Sequence, residues 1–158
     1  QMCIRDSSYT TRHFRLSILS FENKLIAYLI TLGAIQMTAQ WANELHNFSG
    51  TEHYYRIMPN ILMTDGAKFV ADKGEAYWLI TAIASYLPNF TQNESFIVAN
   101  LTVTRTATAC TALLKLDDGN DNILAEQFIE YTDFELDEIK FYACYTGDAW
   151  LLMLPTEY

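Results

Sequence analysis

After Gln92 the apolar residues of this chain stop recurring at helical spacing and begin to alternate, and that change limits what the sequence can build. Before it, Ala76, Leu79, Ile80, Ile83 and Leu87 follow one another in three- and four-residue steps, which predicts a core helix from Glu75 to Tyr86. Pro88 stops that helix, having no N–H to continue it. After the change, Ile97, Ala99, Leu101 and Val103 share one face of a strand, and Cys110, Ala112, Leu114 and Leu116 share one face of the next. The intervening Asp117-Asp118-Gly119-Asn120-Asp121-Asn122 reads as a hairpin signal, because Gly and Asn tolerate positive φ. Two further strands are expected at Ile139 to Tyr145 and Trp150 to Leu154, joined by Thr146-Gly147-Asp148.

The front of the chain supplies shorter signals. Residues 38–47 suit an amphipathic helix with Trp41, Leu45 and Phe48 on one side, closed by Ser49-Gly50. An aromatic segment, His53-Tyr54-Tyr55, precedes a short strand at Ile61-Leu62-Met63. Asp65 stands where an N-cap is wanted for a helix starting near Gly66, and Gly74 ends or kinks it. Helices thus come first and strands follow with short connections, which favour antiparallel neighbours because a parallel crossover takes a dozen residues or more. The expected fold is a two-layer α+β domain, its N-terminal helices packed on a four- to five-stranded, mainly antiparallel sheet.

That domain is expected to occupy residues 37–158. The opening Gln-Met-Cys-Ile-Arg-Asp-Ser resembles the translation of a sequencing-adapter remnant, and residues 16–36 have the Leu, Ile, Asn, Lys and Tyr bias of translated intergenic sequence. Residues 1–36 therefore read as a non-native leader ahead of Met37. The rival reading takes residues 12–36 as a signal peptide, with Arg12, Arg15 and Lys24 before the apolar Leu25 to Ile35, and makes the domain secreted. Four Asn-x-Ser/Thr sequons, at Asn47, Asn89, Asn93 and Asn100, accompany that alternative, although Asn100 falls within an expected strand.

Charge narrows the function. Ten Lys and Arg stand against nineteen Asp and Glu, a formal net charge of -9. Setting aside residues 1–36 removes four basic and two acidic residues and leaves six against seventeen, or -11. Such a chain repels a phosphate backbone, so a nucleic-acid role is disfavoured. Cys3, Cys110 and Cys144 lie far apart without a Cys/His cluster, which excludes a zinc site of ordinary spacing. Reduced thiols are expected, a Cys110–Cys144 disulfide being the alternative if their strands are neighbours.

Thr64-Asp65-Gly66-Ala67-Lys68-Phe69-Val70-Ala71, followed by Ala76-Tyr77-Trp78-Leu79-Ile80 and Ala82-Ile83-Ala84-Ser85, resembles a family of small bacterial and phage-borne proteins of unknown function. Asp118-Gly119-Asn120, Gln127, Tyr131-Thr132-Asp133-Phe134 and the closing Leu154-Pro155-Thr156-Glu157-Tyr158 extend the resemblance over about residues 37–158. Two departures stand out: Glu135 where the family usually has Pro, and Thr156 where Ser is usual. The resemblance implies a bacterial or phage origin and no mechanism.

Asp65, Asp133 and Glu157 are the acidic residues inside those segments, and carboxylates brought together bind Mg²⁺ or share acid/base work. Taken singly they read as a helix cap, a turn residue and a solvated tail charge. Asp117 to Asn122 lacks the acidic spacing of an EF-hand and reads as a turn. His46 and His53 have no nucleophile in a recognisable setting, and no glycine-rich phosphate loop exists. Tyr54, Tyr55 and Trp78 are interface candidates, core packing being the plainer role of Trp78. The sequence therefore favours a cytoplasmic, non-enzymatic interaction module without metal or cofactor, its acidic surface meeting a protein with a basic one and neither nucleic acid nor membrane. The alternative is a metal-dependent hydrolase using Asp65, Asp133 and Glu157.

Overall fold

The computed structural model describes residues 40–91 and 93–158. The segment expected to be a leader or, alternatively, a signal peptide, together with Cys3, lies outside the described residues. The strands are β1 (Tyr55–Met58), β2 (Ile61–Met63), β3 (Phe96–Arg105), β4 (Cys110–Asp117), β5 (Ile123–Ile129), β6 (Glu138–Tyr145) and β7 (Trp150–Met153). Between β2 and β3 lie two α-helices, α1 (Asp65–Lys73) and α2 (Tyr77–Tyr86), and short 3-10 segments cover Gln40–Asn47, Leu87–Asn89 and Pro155–Glu157.

All seven strands form one mixed sheet in the order β1-β2-β7-β6-β3-β4-β5. This corrects the expected arrangement of N-terminal helices on four or five antiparallel strands. Two strands precede the α-helices, and β2 pairs in parallel with β7, Ile61 opposite Trp150 and Met63 opposite Leu152. The physical reason is length and distance. A four-residue and a three-residue strand are too short for alternation to register, and a pairing between residues near 61 and near 150 leaves no local mark. Residues 40–47 are likewise a 3-10 segment in which Trp41 alone is buried.

The cross-strand register sorts the side chains into two faces. Ala143, Ile97 and Leu152 line one, as do Phe141, Ala99 and Leu116, then Ile139, Leu101 and Leu114, and then Val103 and Ala112. These residues form a continuous core with Leu79, Ile80, Ile83 and Ala84 of α2 and Ala67, Val70 and Ala71 of α1. The expected helix stripe holds, since Ala76, Leu79, Ile80, Ile83 and Leu87 are all buried. The opposite face carries Asn100, Thr102, Lys115, Glu126, Phe128, Glu138 and Lys140 in the alternate positions. At one end of that face Phe96, Tyr142 and Tyr158 form an aromatic triad, ring centres 5.1 to 5.6 Å apart.

Cys110 pairs with Arg105 at one end of β3, whereas Cys144 pairs with Phe96 at the other. Nine residues of strand separate those partners by roughly 30 Å, so the two thiols are free and cannot bridge. No helix of the described residues is long and apolar enough to cross a membrane.

Candidate functional site

The start of α1 collects two of the three candidate carboxylates, and both are consumed by the backbone. Thr64, in extended conformation, is the N-cap: its Oγ1 accepts from the Ala67 N–H, so the cap lies one residue before the expected Asp65. The same hydroxyl donates to Glu157 Oε2 at 2.5 Å. Glu157 Oε1 accepts the Gly66 N–H at 2.9 Å, and Oε2 accepts the Leu154 N–H at 2.9 Å. A carboxylate from the far end of the chain thus satisfies an orphan donor of the first helical turn, where the dipole favours negative charge. Gly66 leaves room for it, since a β-carbon there would sit 2.6 Å from Glu157 Oε2.

Asp65, now the first helical residue, turns its side chain the other way. Oδ2 accepts from the Glu52 N–H at 2.7 Å, the His53 N–H at 3.0 Å and the Thr51 hydroxyl at 2.9 Å; Oδ1 accepts from the Tyr55 hydroxyl at 3.0 Å. Those donors, the His53 and Glu52 amides first, lower its pKa to about 2 against the opposing effect of desolvation. The same bond pushes the Tyr55 phenol up. Asp65 is therefore a staple that ties the 51–55 segment to the helix.

An open groove of about 730 Å³ lies over this staple, lined by Phe48, Thr51, His53, Lys68, Phe69 and Asp72 among others. Three of its charged groups, Asp65, Lys68 and Asp72, are already matched. Lys68 bonds Asp72 and lies 5.3 Å from the centre of the Tyr55 ring, and Tyr77 donates to Asp72 as well. These bonds raise the Lys68 pKa and lower that of Asp72. His53 is largely exposed, with Nδ1 3.8 Å from Asp65 Oδ1.

Asp133 is not brought to this place. It is exposed on the segment between β5 and β6, where buried Thr132 accepts from the Phe134 N–H and sends Phe134 into the core beside Trp41. Trp41 in turn donates its indole N–H to Glu135 at 2.9 Å. Among the described residues no three His, Cys, Asp or Glu side chains are grouped to hold a metal ion. In the β4–β5 hairpin, Asp118 accepts from the Asn120 and Asn122 amides and Asp117 from that of Gly119, whose φ is 81°. The acids of that loop thus shape their own turn.

The chain matches the family of unknown function DUF6876 over residues 39–158. It belongs to that family. No curated protein and no solved structure matches it. Within the matched residues, Thr64 and Gly66 meet Glu157, Tyr77 to Tyr86 form the core helix, and Thr132 directs Phe134 inward.

The aromatic candidates separate. Tyr55 is held by Asp65, Trp78 packs partly against the core, and Tyr54 is 58% exposed. Sequence reasoning passed over Phe128 and Tyr131, which are 64% and 75% exposed on or just beyond β5. The available signal was Phe128 occupying the polar phase of a strand, between Glu126 and Glu130.

Proposed function

We propose that this DUF6876 protein is a non-enzymatic interaction module of the cytoplasm that binds a protein partner carrying a basic surface. The observation that carries the reading is the pair Phe128 and Tyr131, large side chains left in solvent among the exposed carboxylates of Glu126, Glu130, Asp133 and Glu135. Aromatic groups contribute the anchoring contacts of many interfaces, and a single-sign rim steers the oppositely charged partner. The saturated state of Asp65 and Glu157 supports binding over catalysis, because each carboxylate's hydrogen bonds already go to the fold.

The test is selection of random displayed peptides on the full chain, with Phe128→Ser and Tyr131→Ser proteins as counter-screens. Selected peptides should be net basic and bind either variant at least about tenfold more weakly, as loss of an interface hot spot predicts. Failure to recover any such peptide, or binders indifferent to both substitutions, overturns the reading.

A further inference from the structure

The two edges of the sheet are guarded differently. β1 is four residues long, carries an irregularity between Arg56 and Met58, and runs into Pro59, all devices that blunt an edge against pairing. β5 at the other edge is seven residues long, has neither Pro nor Lys, and has its register shift at the Ile123 end, opposite Leu116 and Asp117. From Ala125 to Ile129 it pairs without interruption to Leu116 through Ala112, and among the described residues its other side has no strand neighbour. An edge of this kind offers a row of backbone donors and acceptors to any extended chain that fits.

Its side chains state what fits. Glu126 and Phe128 lie on the open face of the sheet, while Ala125, Gln127 and Ile129 lie on the helix-covered face. Glu126 is matched by Lys115 at 3.2 Å, whereas neither Glu130 nor Asp133 makes an ion pair among the described residues. A second copy of this acidic chain, aligned edge to edge, would bring like charges together. A cationic strand would find them complementary.

Building on the interaction reading above, we propose that β5 receives an extended basic segment of its partner as an eighth strand. The incoming segment places Lys or Arg near Glu130 and Asp133 and an apolar side chain beside Phe128, and alternates with small or apolar residues beside Ala125 and Ile129. Recognition then resides in main-chain hydrogen bonds for affinity and in alternate side chains for specificity.

The experiment uses a net-basic peptide selected on the full chain, resynthesised with N-methyl groups at its odd positions or at its even positions. Strand addition predicts that one set weakens binding at least about tenfold and the other about twofold or less, because only alternate N–H groups of a strand face its neighbour. Hydrogen exchange should slow at amides within residues 124–129 when the unmodified peptide binds. Phe128-dependent binding that tolerates both methylated sets would overturn strand addition and leave the interaction reading standing. Absence of any Phe128-dependent peptide removes both. A β5-mediated dimer of the chain in sedimentation, or selected peptides without net positive charge, would overturn the proposed partner chemistry.

Discussion

Glu157 Oε1 accepts the Gly66 N–H at 2.9 Å, and the absence of a side chain on Gly66 is what admits that carboxylate. Three backbone or hydroxyl donors from two distant segments converge on one group. Glu157→Ala should therefore cost about 2 kcal/mol, the sum expected for a lost helix cap and a charge-assisted bond. Gly66→Ala should cost a similar amount in the native protein and clearly less in Glu157→Ala, since the carboxylate it would strike is gone. Urea unfolding of the four proteins measures this, and strictly additive costs would contradict the contact.

Asp65 makes a pH prediction. Its folded pKa, about 2, lies below the ordinary 3.8, so its contribution is present above the unfolded value and is lost as pH falls through the folded one. The stability difference between the native chain and Asp65→Asn should be constant above about pH 5 and shrink between pH 4 and 2. Chemical denaturation across that range gives the answer, a pH-independent difference being the contrary result.

The Trp41–Glu135 bond joins the first 3-10 segment to the β5–β6 connection. Glu135→Ala should destabilise by about 1 kcal/mol. In Trp41→Phe, which removes the indole donor, the same change should be nearly silent.

Both described cysteines should alkylate in unfolded, unreduced protein, as mass spectrometry would show directly. In the folded state burial pushes the Cys144 thiol above its ordinary 9.0, so its reaction should lag until alkaline pH. A Cys110–Cys144 cross-linked peptide would refute the strand register.

Phe128→Ser and Tyr131→Ser should leave unfolding stability within about 0.5 kcal/mol of the native chain, as exposed positions do. A large loss would mean that these rings support the fold instead of a partner.

The parts of the fold legible in the sequence are those whose pattern is long and local. Leu79, Ile80 and Ile83 announce α2 by spacing alone, and ten residues of β3 give alternation time to declare itself. Ile61 to Met63 gave only a hint of β2 and none of its partner, because parallel pairing to Trp150–Leu152 joins segments far apart in the chain and leaves no local pattern. The candidate site was legible as residues and not as roles. Asp65 looked like a cap because it precedes Gly66, but a Thr one position earlier performs that task, leaving the carboxylate to face residues 51–55. Glu157 looked like a solvated tail charge, and nothing local tells that a helix N-terminus 91 residues away receives it.

The place of β7 bears on how this chain emerges from a ribosome. β7 lies between β2 and β6, so until Trp150–Met153 are available the β1–β2 ribbon has no sheet to join and β6 has an open flank. The carboxylate that receives the Gly66 N–H arrives later still, with Glu157. A nascent chain paused before Trp150 would hold two separate strand groups with unmatched edges, the kind of surface on which chaperones act. Vectorial synthesis and native topology are out of step in this protein, and the sheet closes from its middle.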